Sequence, residues 1–397
     1  MSDNTAFVFR DRELNLIRHP AKHQHISLQA WDSADELIID YLATEAPEGP
    51  GKCIIFNDDF GTLGCWYASH NPCWISDSWI AHRSLADNLK GNNIAATLDD
   101  NGLVASPLKA ADCLAPLPEN PQTVIIKIPR TLALLEHQLI MLQKVITPET
   151  RIVAGAKVKA ITKNVLELFE KYTGHTTTSL AKKKSRLIFA KPDAAILKKP
   201  VQSPYPVRWT AKSQNGVTLT LSNHANVFSG RSLDIGARFM IDHMNVTNNE
   251  RVIDLGCGNG ILGLNALSLA PQARITFVDE SFMALASARQ NVAENFPEQL
   301  AQCEFVPSNC LDALKQAEEG GFSKVFCNPP FHQQNAITDH IAWQMFSDSK
   351  ASLARGGHLV VVGNRHLDYH VKLKRLFGGV TQVASHQKFV ILSCAKR

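Results

Sequence analysis

Arg251-Val-Ile-Asp-Leu-Gly-Cys-Gly-Asn-Gly-Ile-Leu-Gly263 reads as an apolar strand that closes on an acid, runs into a glycine-rich turn and opens a helix. Arg274-Ile-Thr-Phe-Val-Asp-Glu280 is a second strand ending in acid, and the apolar spacing from Ala284 to Asn295 suits a helix. Strand, helix and strand in that order predict a parallel, doubly wound α/β sheet.

Working outward, the chain has 397 residues, more than one hydrophobic core usually serves, so two domains are expected. The N-terminal half carries a fainter copy of the same order: Cys53-Ile-Ile-Phe-Asn-Asp-Asp-Phe-Gly-Thr-Leu-Gly64, then Trp74-Ile-Ser-Asp-Ser78. Asp58 precedes Asp254, Asp77 precedes Asp279 and Phe169 precedes Phe377 by nearly the same interval, and Val124–Pro129 falls opposite Val325–Pro330. The reading is an internal duplication, with residues 1–180 as one copy and 215–397 as the other. Between them, residues 181–214 hold Lys182, Lys183, Lys184, Arg186, Lys191, Lys198 and Lys199 among four prolines, and are read as a basic interdomain segment.

Composition narrows the class. Hydrophobic residues are 45% and charged residues 20% of the chain, as in an ordinary folded protein. Met1–Leu16 lacks the unbroken apolar stretch of a signal peptide, and no segment resembles a membrane span, so a cytoplasmic protein without membrane contact is expected. Nine scattered cysteines with no Cys-x-x-Cys pair predict reduced thiols and no metal site. The net charge of +4 speaks to solubility and does not itself establish a polyanionic partner.

In the glycine turn, Gly256, Gly258 and Gly260 would let backbone approach a ligand that side chains would exclude. The spacing differs from the Gly-x-Gly-x-x-Gly of dinucleotide sites. Asp254, directly before the glycines, would repel a diphosphate and suits a cationic sulfonium, which points to S-adenosyl-L-methionine. Asp279 is placed to accept from two ribose hydroxyls, and Asn309 falls where an adenine edge or a simple turn would need it.

Val325-Phe-Cys-Asn328-Pro329-Pro330-Phe331 is a strand stopped by two prolines. Proline fixes φ and removes a donor, so the turn is rigid and presents acceptors. The Asn328 side-chain oxygen and the Pro329 carbonyl are expected to accept from a flat, conjugated amine and favour the pyramidal form of its transition state, with Phe331 stacking on an extruded base. Guanine N2, adenine N6 and a protein glutamine amide all fit that description. His332 is not assigned a catalytic role. A non-catalytic RNA-binding or assembly factor is the reading from a different class, and intact Asp254, Asp279 and Asn328 argue against it.

Together these residues resemble the ribosomal RNA guanine-N2 methyltransferases, over nearly the whole chain. The resemblance is carried by Asn223-His-Ala-Asn-Val-Phe-Ser229, Leu233-Asp-Ile-Gly-Ala-Arg238, the Asp254 loop, Phe277-Val-Asp-Glu-Ser281, Asn328-Pro-Pro-Phe-His-Gln-Gln334 and Asn364-Arg-His-Leu-Asp-Tyr369. It implies two tandem Rossmann-like methyltransferase folds of which only the second is active, a guanosine of ribosomal RNA as substrate, large-subunit (23S) before small-subunit (16S), and a monomer. It also implies that Phe228 and Asp234 help close over the cofactor. The N-terminal copy lacks the glycine series and has Lys127-Ile-Pro129-Arg130 in place of Asn-Pro-Pro-Phe, so this half is expected to be either an RNA-positioning surface through Lys127 and Arg130 or a scaffold that shields the other domain.

Overall fold

The structure, a computed structural model, describes residues 4–21, 28–228, 230–314, 321–330 and 336–397, the side chains of 336–339 excepted. The chain divides into two compact units, Met1–Pro204 and Tyr205–Arg397.

Each unit is built on a seven-stranded, mostly parallel sheet, and the two sheets have one topology. In the N-terminal unit the spatial order is Thr176–Thr178, Ser185–Ala190, Arg151–Lys157, Thr123–Lys127, Cys53–Phe56, Cys73–Ile75, Lys109–Ala111. In the C-terminal unit it is Thr381–Ser385, Phe389–Ala395, Leu353–Asn364, Phe322–Cys327, Arg251–Leu255, Arg274–Asp279, Cys303–Pro307. In both, the first two strands are antiparallel and the remaining five run parallel. The α/β, doubly wound expectation therefore holds for both halves.

The segment expected to join the halves is corrected. Ser185–Ala190 is a strand of the N-terminal sheet and Val207–Lys212 belongs to a hairpin of the C-terminal unit. The cluster of lysines and prolines reads as linker, but the apolar run Leu187-Ile-Phe-Ala190 gives a strand covered on both faces, with the consecutive Leu187 and Ile188 both buried.

The strand Arg251–Leu255 lies between two parallel neighbours and is covered on both faces. Period-two alternation sends Val252 into the core cluster around Ile261, Leu264 and Phe277, and Ile253 and Leu255 into the one around Phe346 and Leu359. Every apolar side chain on the strand is buried, so its one acid, Asp254, is held deep in the sheet.

A hairpin precedes each sheet: Ala6–Phe9 with Arg12–Asn15, and Val207–Lys212 with Thr218–Asn223. Both hairpins are held by asparagines on the helix that follows the second parallel strand, Trp79–Gly91 or Phe282–Asn295. Asn88 accepts from Ile17 N at 2.9 Å and donates to Ile17 O and Phe60 O; Asn291 accepts from Ser222 N at 2.7 Å and donates to Ser222 O and Asn259 O. One turn later Asn92 and Asn295 repeat this with Asn15 and Thr220. An asparagine amide offers one acceptor and two donors, which lets it act as a strand partner for backbone that would otherwise be unpaired. The same pair of asparagines, at equivalent positions of the same helix or its C-cap, recurs in both units, as an internal duplication predicts.

Candidate active site

In the C-terminal unit the turn after Arg251–Leu255 is built on backbone. Gly256, Gly258 and Gly260 all have positive φ, at 69°, 54° and 81°. Gly260 begins the helix Ile261–Leu269, and a Cβ there would lie 2.9 Å from the Ala288 Cβ. A Cβ on Gly258 would instead meet nothing within 4 Å, so at that position the glycine leaves a cradle open. Asn259 is tied by its side chain to Asn223 and by its carbonyl to Asn291, which fixes the turn to the hairpin.

The two acids stand on neighbouring strands beside this turn. Asp254 Oδ2 accepts from Gly263 N at 2.9 Å, while its buried Oδ1 has no hydrogen-bond partner among the described residues. Burial, opposed by the Gly263 N–H and reinforced by Asp279, pushes its carboxyl up to about 8. Asp279 Oδ2 accepts from Gly258 N at 2.9 Å and Oδ1 from Ser281 N at 3.0 Å. Burial pushes that carboxyl up and the backbone donors pull it down, the first effect being the larger. Each oxygen of a carboxylate retains acceptor capacity after one such bond.

Asn328 ends the adjacent strand Phe322–Cys327, in which Cys327 pairs with Leu255. Its Nδ2 donates to Asp234 Oδ2 at 3.2 Å, and Asp234 also caps the helix Ile235–Ile241 by accepting from Ala237 N at 3.0 Å. A carboxylate accepts only, so the contact orients the amide and leaves Oδ1 as the outward function. That Oδ1 is buried and has no partner among the described residues. Pro329 is buried and Pro330 exposed.

Of the residues expected at the site, Asp234, Asp254, Gly256, Gly258, Gly260, Asp279 and Asn328 are brought together at the carboxyl edge of three adjacent strands. Asn309 follows the next strand, Cys303–Pro307, and gives its amide hydrogen to Asp312 at 3.0 Å, so it shapes its own turn. Phe228 is 60% exposed. Phe331 and His332 lie outside the described residues. Among the described residues no group of His, Cys, Asp and Glu could hold a metal ion.

Sequence reading missed Asn291, which clamps the turn. Its signal was available as a mid-helix asparagine repeated by Asn88 in the other half.

Unpaired buried acceptors at Asp254 and Asn328, together with Asp279, suit a ligand bearing positive charge and hydroxyl or amine hydrogens; a diphosphate would meet acceptors and like charge there. The residues fit S-adenosyl-L-methionine and not a dinucleotide.

The N-terminal unit shows where the sequence register was misread. Gly61 and Gly260 are both left-handed residues before a helix, and Asn57 N and Gly256 N donate to equivalent carbonyls, Ile75 O and Val278 O. Counting from these points, Ile55 is the counterpart of Asp254 and Asp58 that of Cys257. Ser76 accepts from Ser78 N as Asp279 accepts from Ser281 N, so Ser76, and not Asp77, is the counterpart of Asp279. Both acids of the cofactor edge are absent. Asp58 satisfies the Gly64 N–H from a different place in the turn and also accepts from Trp74 Nε1 at 3.0 Å.

Lys127 takes the place of Asn328, and its expected role is corrected. Its amine donates to Asp35 at 2.6 Å and to Asp32 at 3.0 Å, with only 15% of the side chain exposed. Burial would depress the amine, but Asp35 and Asp32 outweigh it and hold the lysine charged. A cation neutralised inside the fold is not an RNA contact. Asn57 and Gln138 close the same cleft with paired amides.

Comparison with known proteins agrees with this division. The RLMG N-terminal domain family matches residues 4–194, and the Methyltransferase small domain family matches residues 218–393. The ribosomal RNA large subunit methyltransferase G of Alteromonas mediterranea is 57% identical, covering 99% of this chain and 100% of that protein. Its namesake from Pseudoalteromonas atlantica is 52% identical over the same shares. The solved T. thermophilus 16S rRNA N2 methyltransferase RsmC, in complex with AdoMet and guanosine, shares the fold over 100% of both chains with a TM-score of 0.74 at 18% identity. By its paired domains and its identity to these full-length relatives, the chain belongs to the ribosomal RNA large subunit methyltransferase G family.

Proposed function

We propose that the C-terminal unit binds S-adenosyl-L-methionine on its glycine turn and directs methyl transfer to the exocyclic N2 amine of a guanosine in large-subunit ribosomal RNA. The observation that carries this reading is the pair of buried, unpartnered acceptors, Asp254 Oδ1 and Asn328 Oδ1, on adjacent strands. Names of the full-length relatives supply the RNA, and the fold shared with a solved guanine-N2 enzyme supports the amine.

The cofactor, when bound, supplies an electrophilic methyl group on a cationic sulfur. Asp254 and Asp279 accept hydrogens from it at the glycine turn, and Gly258 leaves room for its approach. Asp234 is a positioning residue that holds the Asn328 amide so that Oδ1 faces the substrate. Asn328 Oδ1 and the Pro329 carbonyl accept the two N–H bonds of the amine, which draws its lone pair out of conjugation. Phe331 stacks on the extruded base, and Phe228 and Asp234 help close over the cofactor. The methylated amine is acidic and releases its proton to water, so no strong base is required.

We further propose that the enzyme works as a monomer in the cytoplasm. No helix of the described residues is long and apolar enough to cross a membrane. The test of the reaction is transfer of labelled methyl from S-adenosyl-L-methionine to protein-free large- and small-subunit ribosomal RNA, with nucleoside analysis. N2-methylguanosine in the large-subunit RNA is expected. The same product in small-subunit RNA, or N6-methyladenosine in either, would overturn the substrate.

A further inference from the structure

With Lys127 neutralised, the positive charge of the N-terminal unit lies elsewhere. Residues 151–200 contain twelve Lys and Arg against three Asp and Glu, more than the net +4 of the whole chain. The lysines gather at one turn. Lys182 and Ser185 exchange backbone hydrogen bonds at 2.8 and 3.0 Å, and between them Lys183 and Lys184 both have positive φ, at 51° and 61°. This is the two-residue hairpin geometry that Asn-Gly adopts with least strain. Two successive lysines in it hold a conformation that costs an L side chain free energy, a pattern that points from strain toward function.

The turn is joined to a second source of cations. Lys184 O accepts from Val158 N at 3.0 Å, which places the turn beside Lys157 and Lys159 at the carboxyl end of the strand Arg151–Lys157. Lys182 and Lys183 are balanced by Asp40 and Glu36. Among the described residues the Lys157 amine donates its hydrogen bond to the neutral Ser33 hydroxyl, with Asp32 near enough to feel its charge, and the buried Arg186 Nε has no partner. Lys159 and Lys184 are exposed and form no side-chain bond or ion pair among the described residues.

We infer that this turn and the adjoining Lys157–Lys159 segment form a phosphate-gripping surface for the RNA backbone. Lys159 and Lys184, exposed and without acidic partners on two segments that the strand pairing brings together, can neutralise phosphates without reading bases, which gives affinity and position. The inference rests on the reading of the chain as an RNA methyltransferase.

Its test uses the full chain carrying Lys159→Gln and Lys184→Asn, both at sites without ion pairs. Asparagine tolerates the left-handed conformation, so thermal stability should be unchanged or raised. Binding to protein-free large-subunit ribosomal RNA should weaken roughly tenfold at low salt, and the slope of log affinity against log salt should fall by about one and a half. S-adenosyl-L-methionine affinity and turnover at saturating RNA should match the parent. If the parent methylates the RNA and the variant binds it equally well, the surface is wrong and the functional reading stands. Weakened binding to poly-glutamate with RNA binding intact would assign the surface to an acidic protein instead. A parent that neither binds nor methylates the RNA overturns both.

Discussion

Set side by side, the two units differ less in architecture than in how their polar groups are paired. Both keep the seven-strand order, the left-handed glycine before the helix and the asparagines that hold the hairpin. At the carboxyl edge of the sheet, Ile55, Asn57, Ser76 and Lys127 stand where the other unit has Asp254, Gly256, Asp279 and Asn328. In the N-terminal unit Lys127 is answered by Asp32 and Asp35, and Asn57 by Gln138. In the C-terminal unit two buried acceptors are left open. A site for a ligand is thus a place where folding leaves hydrogen-bonding capacity unspent, and a lost site is one where the protein has filled it.

The comparison can be broken most sharply at Lys127. Replacing it by alanine leaves Asp32 and Asp35 without their cation, and denaturant unfolding of the N-terminal unit should show a loss of about 3–5 kcal/mol. A near-neutral result would mean that the ion cluster is not what closes that cleft. The corresponding change in the other unit, Asn328→Ala, removes one of two acceptors for the amine. Turnover should fall about 10²- to 10³-fold while cofactor affinity, followed by calorimetry, stays nearly constant. Lost cofactor binding with unchanged turnover would reverse the role given to Asn328.

Asn88→Ala and Asn291→Ala should each cost about 1–3 kcal/mol of stability, because each strands buried backbone groups. Only the second should also weaken S-adenosyl-L-methionine binding, since it alone holds a glycine turn that is open. Titration gives a finer contrast. Asp254 has a carboxyl raised to about 8 when folded and ordinary when unfolded, so the folded state binds more protons between those values. Stability of the unliganded protein should therefore decline as pH rises across that window, while affinity for the cationic cofactor should rise as pH climbs toward 8 and Asp254 ionises. Asp254→Asn should flatten both profiles. The smallest effect is expected from Ser76→Asp, which restores one acid to the filled site and should produce no cofactor binding there.

Much of this was legible in the chain itself. The C-terminal sheet and its edge follow from Asp254, the glycines, Asp279 and Asn328, because backbone-only turns and terminal acids are written directly as residue types. The N-terminal register was not legible. Asp58 satisfies the same kind of glycine N–H that Asp254 does, but from a position three residues further along the turn in structural terms. A string of letters shows a carboxylate and not where its oxygens end. Lys127 was misassigned for the same reason: its partners, Asp32 and Asp35, lie on a distant helix start that no local pattern links to it.

The asparagine clamp has a consequence for how freely each half can be altered. Asn88 and Asn291 make matching bonds in a half whose catalytic edge has been replaced and in one whose edge is intact. Residues that serve chemistry can be exchanged at an edge that is already filled, but not those without which buried backbone groups would lose their partners. The clamp marks what any redesign of either half is obliged to keep, and the difference between Ser76 and Asp279 marks what it is free to change.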